Sequence, residues 1–358
     1  MLRRPADIAN SWWLRLLGML TGVAVPLMWF FSTLTPGEDA VKIRNGLVAE
    51  LGVNADFSWS PRNVPTSYLL NLHSPLPKYS AVAKQIGKDL RLTPARGLEL
   101  GVAISQHLMS ATARNNTPIQ SDLSTAYHNI VFNGMGYCAD FTQVFTGLAL
   151  AAHLPVRAWS ISFEGFGAGH IFNEIYDESR KKWILIDSFH SLYFVDSKTN
   201  EPLSVIQVHD RLLGLESDHG PMVVRAIVPE RFPFSNQEMA FDYYRRGMPQ
   251  LALNWGNNVF DYDHSIAVRY AAKISRHVER LVGILIGEYP LLKVYPVAFS
   301  HRDFDSLRRT TREFFVASAA LGFSTILFGF QLFCQIRQRV SVRSELEEFA
   351  GNQQGNSR

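Results

Sequence analysis

Only two cysteines occur in 358 residues, and one of them, Cys334, falls inside an apolar run. No disulfide can therefore brace the remainder of the chain, and Cys138 stands there alone. Excess charge is small too: 35 Lys and Arg against 32 Asp and Glu leave a formal +3. With no basic stripe interleaved with aromatics, nucleic acid is not an expected partner. His73, His128 and His190 show no metal-ligand spacing with the single soluble thiol, so neither a metal nor a cofactor is expected. Internal repeats and low-complexity runs are absent as well.

What the chain has in quantity is apolar surface, with 47% hydrophobic and 12% aromatic residues, enough for a sizeable core. Its length allows two domains, or one domain with membrane anchors. Residues 16–34, "LLGMLTGVAVPLMWFFSTL", carry no charge and match the thickness of a hydrocarbon core when helical. They read as an uncleaved anchor, since a basic amino end precedes them but no small-x-small cleavage site follows. Residues 314–336, "FFVASAALGFSTILFGFQLFCQI", form a second predicted span. Basic residues flank the outer end of each run, which puts both termini in the cytoplasm and exports the intervening residues. The expected location is a bacterial inner membrane, with the soluble part periplasmic. A third run, "LVGILIG" from Leu281, is too short to cross and reads as a buried core helix.

The predicted organisation is a membrane anchor (1–35), a loop-rich segment (36–89), an α+β core (90–199), a helical extension (200–307), a second transmembrane helix (308–337) and a cytoplasmic tail (338–358). Within the core, helical periodicity through "ARGLELGVAISQHLMSATARNN" precedes a turn near Asn115 and a short helix from Ser121. In "CADFTQVFTGLALAA", Phe141, Val144, Phe145, Leu148, Ala149 and Ala152 recur at intervals of three and four, one face of a core helix ended by Pro155. "VRAWSISF" then alternates as a strand. "HIFNEIYD" and "KKWILID" form two more, joined by the charged turn 178–181.

A cysteine in the first turn of a helix meets unpaired N–H groups and the positive end of the helix dipole, both of which favour thiolate. Gly134 and Gly136 allow close backbone approach, and the N–H of Cys138 can donate to an oxyanion. A hairpin centred between Glu178 and Ser179 pairs residues whose numbers sum to 357, which sets His170 across from Asp187 on one face. Asp187 would fix the imidazole tautomer and leave the other nitrogen for the thiol. By parity Glu174 and Tyr176 share that face, lining a cleft or facing solvent. Trp159 and Trp183 read as core, Asp140 as a helix cap, and Gln106 or His107 as candidates for a side chain at the oxyanion.

"GYCADFTQVF", "LPVR", "GHIFNEIYD" and "WILID", in that order, resemble the transglutaminase-like superfamily of papain-related cysteine enzymes over roughly residues 90–195. The resemblance implies a core in which the helix bearing the Cys packs on an antiparallel sheet bearing the His and Asp. It also implies that Cys138 is the nucleophile, His170 the general base and Asp187 the orienter. Three positions depart from the pattern: His153 where glycine is common, Phe172 where Trp often follows the His, and Ser188 where proline usually follows the Asp. The expected activity is a thiol amidase, peptidase or acyltransferase acting through an acyl-enzyme on a peptide, amide or glycan-linked substrate of the cell envelope, with other envelope proteins as possible partners. The alternative is a non-catalytic scaffold of the same fold in an envelope or polysaccharide assembly.

Overall fold

The structure, a computed structural model, describes residues 22, 24 and 38–355 except 67, 69, 70, 72, 90–96, 120, 216–219 and 257. It divides into two units, Arg44–Leu307 on one hand, and Met1–Ile43 with Arg308–Arg358 on the other. In chain order, α1 (Glu38–Val48) leads into β1 (Ala49–Leu51). Four helices follow, α2 (Pro77–Asp89), α3 (Gly97–Leu108), α4 (Leu123–Asn133) and α5 (Cys138–Ala151). Next come β2 (Val156–Ser162), β3 (Gly169–Asp177), β4 (Lys182–Ile186), β5 (Leu192–Asp196), α6 (Val205–Leu213) and β6 (Met222–Ala226). After these lie α7 (Gln237–Gly247), β7 (Leu251–Trp255), α8 (Val259–His264), α9 (Ile266–Ala272), α10 (Arg276–Leu285), β8 (Leu291–Val294) and α11 (Ala298–Gly355).

The fold class is α+β, built on a mixed six-stranded sheet in the order β1-β8-β7-β2-β3-β4. Only β1 and β8 run parallel, while β5 and β6 pair in a ribbon of their own. Alternation along the strands gives the sheet two apolar faces. Val156, Ile175, Ile184 and Ile186 meet α2 to α5, chiefly through Val144, Phe145 and Leu148 of α5. Trp159, Ile161, Phe172, Trp183 and Leu185 meet α6 and α7 on the opposite side. Local chemistry sets the helix ends. Asp122 accepts from the N–H groups of Ser124 and Thr125 to start α4, and Gly134, at φ +62°, ends it.

Two predicted boundaries change. The stretch beyond Thr199 is not a helical extension, because β7 lies hydrogen-bonded between β2 and β8 in the middle of the sheet. All five residues of β7 are buried, so "LALNW" shows no alternation from which a strand could be read. Likewise, the segment 36–89 supplies α1, α2 and the edge strand β1 as well as loops. The apolar run from Leu281 is also not a buried core helix. Leu281, Leu285 and Ile286 are exposed.

Within α11, the stretch Ser300–Cys334 is the one helix among the described residues long and apolar enough to cross a membrane by length and composition. Almost none of its most apolar window is buried, and Phe323, Ile326, Phe330 and Phe333 are exposed. Apart from Gly22 and Ala24, the span predicted at 16–34 lies outside the described residues.

Candidate active site

Cys138 is the first residue of α5, and its side chain is partly exposed. The preceding Tyr137 is extended, and Asp140 Oδ2 accepts from its N–H at 2.9 Å and from that of Ile119 at 3.1 Å. Asp140 thus caps the helix, as its position suggested. The N–H groups of Cys138 and Ala139 have no acceptor inside the helix, as at any helix start. The turn leading into α5 depends on two glycines with positive φ, Gly134 at +62° and Gly136 at +120°. A Cβ on Gly134 would stand 1.8 Å from the carbonyl oxygen of Ala113, so no other residue fits there. Asn115 N–H donates to Gly134 O at 2.7 Å and Gly136 N–H to Thr117 O at 2.9 Å, which pins the preceding loop against the cysteine turn.

His170, near the start of β3, and Asp187, just past the end of β4, are both buried. Nε2 of His170 is hydrogen-bonded to Asp187 Oδ2, and the imidazole is close enough to the Cys138 thiol for each to shift the other's protonation. With Nε2 taken by the carboxylate, Nδ1 is the nitrogen left for sulfur. The backbone N–H of Ile171 also acts on the sulfur, favouring its anion. That N–H is free to do so because β4 stops pairing with β3 at Asn173–Ile186.

The hairpin register differs from the predicted one. Pairs such as Asp177–Lys182 and Asn173–Ile186 sum to 359, so His170 and Asp187 are diagonal neighbours rather than directly opposed. The shift arises in the turn, where the Asp177 carboxylate accepts from the N–H groups of Ser179 and Arg180, and Lys181 takes φ +52°. Two residues of slip leave every side chain on its face, and so the contact survives.

The electrostatics favour an ion pair. Burial raises the pKa of the Cys138 thiol, but the hydrogen bond and charge of His170 and the Ile171 N–H outweigh it and hold the thiol below the ordinary cysteine value. For His170, burial disfavours the charged form, yet the charge and hydrogen bond of Asp187, aided by Cys138, raise the imidazole above its usual value. Asp187 is held well below the usual carboxylate range, because the two histidines around it outweigh its burial.

The second of those histidines, His190, belongs to the site although sequence reasoning gave it no role. Its N–H donates to Asp187 Oδ1 at 2.9 Å, and its Nδ1 lies 3.2 Å from Oδ2. Burial, with the neighbouring charges of His170 and Arg114, lowers its pKa and favours the neutral ring. Tyr244, from α7, donates its hydroxyl to Asp187 Oδ2. Burial beside that carboxylate raises the phenol well above its ordinary pKa, so it remains a donor. Arg114 donates to Phe189 O at 2.6 Å and stacks 4.0 Å from the Phe189 ring, which lies 5.9 Å from the ring of His170. His190 stands three residues after the predicted aspartate, a spacing that could have drawn attention to it. Tyr244, 57 residues from Asp187, left no such trace.

His170, Asp187 and His190 are also residue types that bind metals, and their ligand atoms lie within 4.8 Å of one another. The fit to an ion is poor. Two ligands on one tetrahedral zinc sit roughly 3.3 Å apart, given bonds of about 2.0–2.1 Å, whereas His170 and Asp187 are in direct hydrogen-bond contact. An ion there would displace the bond that orients His170.

Other predicted positions fall elsewhere. Glu174 neither lines a cleft nor meets solvent: fully buried, it accepts from Arg157 Nε at 2.6 Å, Trp159 Nε1 at 2.7 Å and Val205 N–H at 2.8 Å. Tyr176, Trp159 and Trp183 pack in the same core cluster. Gln106 is exposed and His107 bonds Tyr127 at 2.9 Å; among the described residues neither contacts Cys138. Ser188 is buried, with its hydroxyl 2.7 Å from that of Ser105. Compared with models of known protein families, the chain matches none, and no curated protein matches it either.

Proposed function

We propose that the protein is a membrane-anchored thiol enzyme of the transglutaminase-like, papain-related kind, which cleaves or transfers an acyl group through a Cys138–His170–Asp187 triad. The observation that carries this reading is the grouping of a cysteine at a helix start with a buried imidazole that acts on its thiol and is itself hydrogen-bonded to a buried carboxylate. In the first step the Cys138 thiolate attacks an amide or ester carbonyl, forming a C–S bond while the C=O pair moves onto oxygen. An N–H at the start of α5, which has no acceptor within the helix, would donate to that oxygen. As the intermediate collapses, the bond to the leaving nitrogen or oxygen breaks and the imidazolium of His170 supplies its proton. Water or an amine then attacks the thioester while His170 takes its proton, and collapse of that second intermediate breaks the C–S bond, releasing the acid or new amide and returning the Cys138 thiolate beside the imidazolium. Asp187 keeps the imidazole oriented throughout, and Tyr244 and His190 hold the aspartate in turn.

The same reading makes 314–336, within α11, a membrane span and 16–34 a second one, with the Arg44–Leu307 unit outside the cytoplasm and its substrate in the cell envelope. The span in α11 is supported by its length, apolarity and exposure.

Alkylation by iodoacetamide across pH tests the triad. The rate at Cys138, read by mass spectrometry, is expected to reach half its maximum at a pH below that of free cysteine, to disappear in Cys138→Ala, and to move up to the ordinary thiol range in His170→Ala. An ordinary profile that is indifferent to His170 would overturn the proposal. Activity-based probes applied to envelopes, with identification of the acyl group trapped on Cys138, would name the substrate.

A further inference from the structure

Helices α9 and α10 pack against each other and are fastened to the fold from one side only. Val268 and Ala271 are buried, Tyr262 donates to Glu279 Oε1 at 3.0 Å, and Gly283 lies so close to the Tyr262 ring that a Cβ would come within 2.8 Å of it. The other side is apolar and open. Ile266, Tyr270 and Ile274 recur every four residues at 65%, 65% and 75% exposure, and Leu281, Leu285 and Ile286 continue the surface at 49%, 75% and 46%. A soluble surface scatters such residues singly; six within 21 positions form a patch.

The exposed charges on α9 are both cationic. Arg269 and Lys273 are exposed beside the apolar stripe, with Lys273 Nζ 4.9 Å from the Tyr270 ring centroid. Over 266–288 the sequence has four basic residues, Arg269, Lys273, Arg276 and Arg280, against Glu279 and Glu288, and Glu279 is buried facing Tyr262. Aliphatic and aromatic residues rimmed by cations are what an interfacial amphipathic helix presents to anionic headgroups. A symmetric pairing of the patch with a second copy would instead bring two cationic rims together.

We infer that the outer face of the α9–α10 hairpin is a lipid-docking surface that lies in the headgroup region of an acidic bilayer. This rests on the reading that α11 inserts in a membrane, because that tether supplies the bilayer within reach of the Arg44–Leu307 unit. Docking would replace water over the six side chains with acyl chain and interface, and would pair Arg269 and Lys273 with lipid phosphates.

The test uses the full chain reconstituted in phosphatidylcholine vesicles with phosphatidylglycerol as the minor component. A fluorophore sensitive to polarity is attached through Ile274→Cys, or separately Leu285→Cys, in a Cys138→Ala, Cys334→Ala background. Both label sites are exposed, so the fold has little to lose from either change. The expected result is a blue-shifted emission that lipids brominated near the headgroup quench strongly. Arg269→Gln with Lys273→Gln should lower the ratio of docked to undocked protein roughly 30-fold, taking about 1 kcal/mol per cation, and added salt should act in the same direction. A chain that co-floats with the vesicles while both labels stay in water would overturn the docking surface and leave the α11 span standing. A blue shift without lipid quenching, together with cross-linking between copies, would overturn it in favour of self-association. Failure of the unlabelled chain to co-float, or its extraction by alkaline carbonate, would defeat the membrane reading and this inference with it.

Discussion

Asp187 gathers more partners than any other residue of the site, and its effect on the thiol has two opposed parts. Its charge acts directly on Cys138 to disfavour the thiolate, but this is the smallest of the influences there. Through His170 it acts the other way, since the carboxylate keeps the imidazole protonated and the imidazolium stabilises the sulfur anion. The indirect path is the larger, so Asp187→Asn should raise the pH at which iodoacetamide alkylation of Cys138 is half-maximal. A profile that moved to lower pH would show that the direct repulsion between carboxylate and thiolate prevails. The three positions proposed as a triad could be picked out of the sequence because each lies in a short local pattern: glycines before a helix start, and one strand face read by parity. Parity is what made the reading of His170 and Asp187 tolerant of a misplaced turn. Tyr244 offered no such handle, because only the tertiary packing of α7 on the sheet brings it to the carboxylate.

Among the elements, α5 had the clearest pattern in the sequence, and its carboxyl end explains one departure from the transglutaminase-like motifs that the sequence resembles. Its capping residue Ala152 is followed by His153 at φ +57°, with Leu154 N–H bonding back to Ala149 O at 2.8 Å. This is a left-handed helix stop, a position that favours glycine. His153→Gly should therefore stabilise the protein by about 0.5–1 kcal/mol, seen as a rise in melting temperature with the alkylation profile unchanged. A lower melting temperature would mean that the exposed imidazole makes a contact worth more than the strain. Strand β7 illustrates the opposite case. Buried on both faces, it lost the alternation that made β2 readable, and a helical assignment followed for its surroundings.

At the scale of the molecule, the segment carrying the triad is not a folding unit. Residues 90–199 lack β7, so β2 would become an open edge, and the apolar side chains of Leu251 and Leu253 would be lost from the core. That fragment should show no cooperative thermal transition by circular dichroism, whereas 44–307 should; a sharp transition in the shorter piece would restore the narrower boundary. The chain enters this unit in α1 and leaves it in α11, and the strands next inside, β1 and β8, are parallel neighbours with Ala49 beside Leu292 and Leu51 beside Val294. Tension drawn from opposite chain ends would thus load β1 and β8 in shear, across all their hydrogen bonds together. The strands bearing His170 and leading to Asp187 lie at the far side of the sheet, off that line of force. A protein held at both ends could be pulled without its thiol and imidazole being drawn apart.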